Sequence, residues 1–371
     1  MKILPVRMKR ANRSDFSIVF LTFLLLVVGL VFVYSASYYS AEITYADKFF
    51  FLKKQVLGIV AGLGGLVFFS FFDYHKLAKV RIWAVIISAV LLALVFVPGI
   101  GVTTYGATRW LNLKVTTIQP SEFAKLSFIL FASCELAGKS EKIKSFKGLL
   151  PTLFVGGLFC TLIILEPNMS ITITMALLVL TMLFVGGMTF KHFSLLAVPA
   201  IFLAVGLVLV EPYRLKRLVA FIDPFASRQS EGFQLVQSLF GIALGGIFGS
   251  GFFKSRQKYL FLPFSESDFI FSIIAEETGF VGSCVVIFLF IFLVLKIFKV
   301  AKNAQDKLGF LLAVGIGSLI AIQVLLNLAV VTGSIPPTGL PLPFISAGST
   351  SLVVFMSAIG VVLNINKQSK T

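Results

Sequence analysis

The chain is poor in charge. Of its 371 residues only 13% are Asp, Glu, Lys or Arg, about half the roughly 25% of an average soluble domain. With 58% hydrophobic residues and a mean hydropathy of +0.99, a water-soluble fold would need a larger apolar core than one domain can bury. Histidine is nearly missing, at two residues, His75 and His192, and cysteine is limited to Cys134, Cys160 and Cys284. All three cysteines lie inside apolar runs, so a disulfide framework and a thiolate metal site are both excluded, and packing is their expected role. Neither HExxH, GxSxG nor CxxC occurs. Gly246 and Gly251 have the spacing of a phosphate-binding loop, but Phe252 stands where Lys is required, which excludes NTP-driven transport of the ordinary kind.

Apolar length is what the sequence has instead. Runs that approach or reach the roughly 20 residues needed to cross a bilayer fall near 16–34, 52–72, 82–98, 119–136, 149–165, 169–187, 194–211, 268–295, 309–331 and 351–365. The expected fold is therefore an all-α integral membrane protein of about ten transmembrane helices, one polytopic domain over 1–371 with a single long loop at 212–267. Ser35-Ala36-Ser37 is faintly like a signal-peptidase site, but the preceding run is longer than a secretory apolar core, so an uncleaved first helix is expected. The net charge of +16 sits in the short connectors, which points to a membrane surface and not to nucleic acid. With the N-terminus cytoplasmic, inside segments hold 19 Lys and Arg and short outside segments 5. The positive-inside rule then places both termini in the cytoplasm of a cell-membrane protein.

Two outside segments are unusual. In 212–267, Phe233, Val236, Phe240 and Ala243 recur at helical spacing, which predicts a short amphipathic helix on the bilayer surface. Residues 332–350 hold four prolines and no charge; non-helical backbone so apolar belongs in protein or along a cavity.

Ionisable residues inside or at the ends of spans are costly and mark functional positions: here Glu122, Lys125, Glu135, Glu166, Asp268, Glu276 and Glu277. Each has a plainer reading. Pro120 at a first helical position makes Glu122 a first-turn acid with Lys125 as its i+3 partner. Ser265 and Asp268 fit a capping box, and Glu135 lies near the inner end, within reach of the interface. Glu276 and Glu277, about 12 Å further along the same helix, weaken the capping explanation, because three acids on one span are expensive without a use.

The segments Gly106-Ala107-Thr108-Arg109-Trp110-Leu111 and Gln119-Pro120-Ser121-Glu122-Phe123-Ala124-Lys125-Leu126 resemble the SEDS family of peptidoglycan polymerases. So do Gln234 to Ser238, Ser255-Arg256-Gln257-Lys258, Leu262-Pro263 running to Phe271, Ala275 to Gly279, and Thr338 to Ser346. The match covers nearly the whole chain in order. Ser255 to Lys258 and Phe221 to Phe225 are closer to the division branch, FtsW, and its sporulation relative than to RodA. The chain departs from the family at Phe264 and Glu266, where Glu and His are usual, at Asn168, where Asp is usual, and in Ala347-Gly348-Ser349-Thr350.

The resemblance implies an inverting glycosyltransferase that joins lipid II into glycan strands and releases undecaprenyl diphosphate, acting in division or growth. Asp268 is then the expected base. Glu122, Lys125 and Arg109 are the expected substrate contacts, and Trp110, Gln119, Ser121, Gln237, Lys258 and Glu276 complete the substrate-binding set. Glu122 and Asp268 are the carboxylates that would hold a divalent cation such as Mg2+ or Mn2+ if one is used; no covalently bound cofactor is expected. The expected partners are lipid II, the nascent glycan on its lipid carrier, a class B penicillin-binding protein and other membrane proteins of the division or elongation machinery. A lipid II flippase and a non-catalytic scaffold of the division machinery are the alternatives. A flippase should line both leaflets with charge, whereas these candidates, Glu135 apart, gather toward the outer half.

Overall fold

The computed structural model describes residues 13–104, 107–112, 117–138, 143, 145–210, 212–230 and 232–369. The basic residues Lys2, Arg7, Lys9 and Arg10 and Gly106, the first residue of the Gly106–Leu111 segment, lie outside them. Among the described residues, seven helices are long and apolar enough to span a membrane: α1 (Arg13–Tyr45), α2 (Phe50–Phe71), α6 (Phe146–Leu165), α7 (Met169–Gly186), α11 (Ile270–Lys302), α12 (Lys307–Val331) and α13 (Ser349–Gln368). Three more complete the ten: α4 (Arg81–Leu94), α5 (Pro120–Gly138) and α8 (Phe190–Val210). The first of these is short, and α5 carries Glu122, Lys125 and Glu135. The remaining helices are α3 (Tyr74–Lys79), α9 (Pro212–Ile222) and α10 (Phe233–Gly245).

The loop at 99–118 is not purely irregular. It folds as an antiparallel sheet of β1 (Gly101–Thr104), β2 (Ala107–Asn112) and β3 (Thr117–Ile118), with Val102 opposite Trp110 and Leu111 opposite Ile118. Along β2, Ala107 and Leu111 are buried and the three residues between them are half-buried, which seats the sheet on the bundle.

Helix α12 is the hub, buried on all sides from Leu311 to Ile320. The outer helices do the reverse: α2 exposes Val60, Val67, Phe68 and Phe71, residues suited to lipid. Its other face is a stripe of Gly58, Gly62 and Gly65 against α13. A Cβ at Gly62 would fall 2.5 Å from Met356 Sδ, and one at Gly65 2.2 Å from Ser357 Oγ. Lipid tails are as apolar as leucine, so close backbone approach of this kind is what drives helix pairing in a bilayer.

Helix α11 is broken at Gly279, which has φ +68 and ψ −166. The groups freed by the break are met by the segment following α10. Ser250 N donates to the Glu276 carbonyl at 2.9 Å and Gly251 N to that of Glu277 at 3.0 Å, while Phe280 N reaches Gly246 O at 2.9 Å. Non-helical backbone at this depth is tolerable only when so satisfied. Gly249, at φ +84, lies on the break, and a Cβ there would sit 2.2 Å from Glu277 O. Gly249→Ala is expected to cost more than about 2 kcal/mol through strain and backbone clash. Gly157→Ala, whose Cβ meets open space on helix α6, is expected to be neutral or to stabilise by up to about 1 kcal/mol. Thermal unfolding of the two variants in detergent separates them, and equal midpoints would refute the docking role of Gly249.

The predicted amphipathic helix exists as α10, with one correction. Its buried face is Leu235, Val236, Ser238, Gly241 and Gly245, while Phe240 and Ala243 of the expected apolar face are exposed. Ser238 Oγ pairs with Ser272 Oγ at 2.6 Å and donates to Val331 O at 2.7 Å, so the helix packs into the bundle against α11 and α12.

The face bearing the sheet, α9, α10 and residues 332–348 is called the loop face below. At the opposite face, His75 bridges Asp73 at 2.9 Å and Asp306 at 2.8 Å, and Gln368 donates to Asp73. Glu135 lies 3.9 Å from Arg81 Nε there.

Candidate active site

Asp268 lies in the turn just before α11, half-buried on the loop face. Residue Phe269 is the N-cap of α11 and no side chain caps it; Ser265 Oγ donates instead to Ala36 O at 3.2 Å. The capping-box reading of Ser265 and Asp268 is thereby overturned. Burial and the neighbouring Glu266 charge push the Asp268 carboxyl up to about 6, against the opposing pull of Arg109 and Arg217.

The proline-rich segment forms a strap over this carboxylate. Four prolines, Pro336, Pro337, Pro341 and Pro343, remove four N–H groups that would otherwise need partners. The strap's carbonyls are met by side chains: Pro337 O by Arg217 Nη1 at 3.3 Å, Leu340 O by Asn327 Nδ2 at 2.6 Å, and Pro341 O by Gln323 Nε2 at 3.0 Å. Ser346 Oγ accepts from Leu342 N and donates to Ser267 O, and Ala347 N donates to Glu266 O. Gly339, at φ +73, brings the strap against Asp268: a Cβ there would lie 3.1 Å from Oδ2. The apolar, proline-rich stretch is thus buried in protein, with Leu340, Leu342, Phe344 and Ile345 all in the core.

Glu122 and Lys125 do pair, at 2.7 Å, but deep inside, with neither side chain more than 1% exposed. Pro120 opens α5 and puts Glu122 in its first turn, as expected. Lys125 Nζ also donates to Gln323 Oε1 at 2.9 Å. Glu122 Oε2 and Ser121 Oγ are buried without a hydrogen-bond partner among the described residues. Gln119 is buried beside them.

Arg109 projects from β2 and donates to the backbone carbonyls of Glu166, at 3.4 Å, and Pro167, tying the sheet to the turn between α6 and α7. Glu166 is wholly buried there, and burial pushes its carboxyl up to about 8 against the pull of Arg109. Trp110, the next residue on β2, is half-buried, as is Gln237 on α10.

Lys258 and Glu276 belong to a separate network. Lys258 Nζ, 0% exposed, pairs with Glu277 at 3.1 Å and lies 3.3 Å from Ser35 Oγ. Glu276 accepts from Ser255 Oγ, from Arg256 N at 2.7 Å and from Gln257 N at 3.4 Å. Their polar atoms are engaged in folding the 250–258 segment onto the upper half of α11. Between residues 258–266 and the ends of α1 and α2 a cavity of about 340 Å³ opens, lined by Ser40, Tyr45, Phe51, Leu262, Phe264 and Glu266.

Among the described residues no three His, Cys, Asp or Glu side chains gather as a metal site. Glu122 has one oxygen committed to the Lys125 ammonium, which also donates to Gln323, while Asn327 one turn along α12 donates to the Asp268 carbonyl. A cation held between these two carboxylates would draw its remaining ligands from oxygens of the substrate.

Sequence reasoning missed Arg217, Gln323 and Asn327. A signal was present for the last two, since an amide pair four residues apart interrupts an otherwise apolar helix.

The profile of a cell cycle protein family, FtsW/RodA/SpoVE, matches residues 16–371. The chain is 39% identical to stage V sporulation protein E of Bacillus subtilis over 97% of its length and 99% of that protein's. It is 37% identical to a probable peptidoglycan glycosyltransferase FtsW of Geobacter sp. strain M18, over 98% and 99%. A chain of a solved peptidoglycan synthase complex that coordinates polymerization and crosslinking superposes with a TM-score of 0.79 at 27% identity, covering 95% of this chain and 98% of that one. RodA of Thermus thermophilus does so with a TM-score of 0.71 at 25% identity, covering 96% and 97%. A helical multi-pass membrane protein with the loop-face signatures in order, this chain belongs to the FtsW/RodA/SpoVE family.

Proposed function

We propose that the chain is a peptidoglycan glycosyltransferase that polymerises lipid II at the extracytoplasmic face of the bacterial cytoplasmic membrane. The observation that carries this reading is Asp268, a carboxylate held half-buried beneath the strap with Arg109 and Arg217 in electrostatic reach.

Asp268 takes the proton from the acceptor sugar hydroxyl as its oxygen attacks the donor's anomeric carbon. The bond from that carbon to the lipid diphosphate breaks in the same displacement, with inversion, so one base suffices and no covalent intermediate forms. Charge developing on the diphosphate is met by Arg109 and Arg217, whose planar guanidinium groups suit phosphate oxygens. A carboxyl that titrates near 6 is mostly ionised at neutral pH and more basic than an ordinary aspartate. Glu122 and Lys125 act from within, as the buried ion pair that anchors α12 and, through Gln323, the strap. An apolar groove of about 480 Å³ along α2, lined by Phe49, Leu52, Val56 and Val60 beside Lys53, suits a polyprenyl tail and its phosphate.

The likeness to a chain of a peptidoglycan synthase complex supports a crosslinking class B penicillin-binding protein as partner. The flippase alternative gains no support from the face opposite the loops, where the Asp73–His75–Asp306 bridge ties α3 to the start of α12. The decisive assay supplies lipid II to the purified protein with and without that partner. Glycan polymer is the expected product; transport of lipid II between leaflets without polymer would overturn the reading.

A further inference from the structure

Two buried amides join the charged parts of this site. Gln323 and Asn327 lie four residues apart on one face of α12 and are 0% and 1% exposed. Gln323 accepts from Lys125 Nζ at 2.9 Å and donates to Pro341 O at 3.0 Å. Asn327 Nδ2 donates twice, to Asp268 O at 2.8 Å and to Leu340 O at 2.6 Å. Its Oδ1 is buried with no partner among the described residues.

That unsatisfied acceptor is informative. It carries the desolvation cost of a buried, unpaired acceptor, which a leucine of similar volume would avoid. Asn327 is therefore ill-suited to mere space filling, and what it adds is its pair of donations. One grips the backbone of Asp268 itself. The other grips the strap next to Gly339, the residue that lies against the Asp268 carboxylate. A single amide thus sets the spacing between the carboxylate and its cover, and Gln323 ties the same strap to Lys125 and Glu122.

We infer that Gln323 and Asn327 are positioning residues for the glycosyl transfer, an amide couple that fixes the aim and environment of Asp268 from α12. The inference rests on the reading of Asp268 as the base. Neither amide touches the sugar or the diphosphate, so their loss acts on turnover more than on substrate affinity.

The test uses the full chain with its crosslinking partner and lipid II, followed from roughly pH 5 to 9. Asn327→Leu is expected to lower kcat by about 10- to 100-fold while KM stays within about twofold. The acid limb of the kcat profile should move by about half a unit or more as the cover over Asp268 shifts. Asn327→His, whose ring N–H can replace one donation, should recover part of the rate. Gln323→Glu keeps the acceptor for Lys125 and loses the donor to Pro341 O, so it should show a milder form of the same change. If Asn327→Leu does not accumulate, the His and Glu variants give the same two readouts. Wild-type kcat and an unmoved acid limb in these variants would overturn the couple. Asp268→Asn run in parallel isolates the other failure, since full activity there overturns the base and leaves the couple to be judged by backbone hydrogen exchange. The couple requires exchange at Gly339, Leu340 and Leu342 to quicken by about tenfold in the variants; unchanged exchange refutes it.

Discussion

Replacing Asp268 by Asn or Ala in the folded protein is expected to lower lipid II polymerisation by about 10²- to 10⁴-fold, the usual contribution of a positioned general base. Asn is the sharper variant. It keeps the shape of the side chain, and the backbone carbonyl of residue 268 still accepts from Asn327, so the strap should stay in place. Glu restores a carboxylate but carries it beyond the strap by one methylene, and misplacement of about 1 Å can cost about 10²-fold. The wild-type pH profile follows from the same group. Because the base acts only when ionised and its carboxyl lies near 6, kcat should fall about tenfold per unit below that pH and level off above it. The neighbours set the sign of the shifts. Glu266 raises the Asp268 value, so Glu266→Gln should move the acid limb to lower pH; Arg217 lowers it, so Arg217→Ala should move the limb up. Undiminished polymer from folded Asp268→Asn, or a rate flat through pH 6, would sink the assignment.

Lys125→Met is expected to have the largest effect on stability. Its ammonium and the Glu122 carboxylate sit 2.7 Å apart with almost no exposure. Removing one partner of such a pair strands a charge and costs roughly 3–5 kcal/mol. The double variant Glu122→Gln with Lys125→Met removes both charges at similar volume and should recover most of that loss, to within about 1–2 kcal/mol of wild type. It should not recover polymerisation, because Met offers Gln323 no donor and the strap loses its tie to α5. Thermal unfolding in detergent, paired with the polymerisation assay, reads both effects. A single variant as stable as wild type would mean that the charge is not buried.

The spans were legible because apolar length is a strong signal, and the helix starting at Pro120 appears where that residue predicts. Asp268 stood out for a related reason, as an acid where lipid-facing sequence excludes one. Other features were harder to read. The sheet at 101–118 is built from strands of two to six residues, too short for a period-two pattern to stand out. The break at Gly279 leaves the apolar pattern unchanged on either side, and its hydrogen bonds come from residues 246–251, which nothing in α11 specifies. Arg217 looked like one more basic residue of a long loop. Its contact with Pro337 O depends on the strap, whose course follows from side-chain amides on α12.

The glycine stripe of α2 has a consequence for how the chain is made. Its partner, α13, is synthesised nearly 300 residues later, so Gly58, Gly62 and Gly65 face lipid with nothing to close upon until residues 349–368 emerge. At roughly 5–20 residues per second, that wait is on the order of tens of seconds. Throughout it α2 leans on α1, and the seam between these two distant parts of the chain closes late.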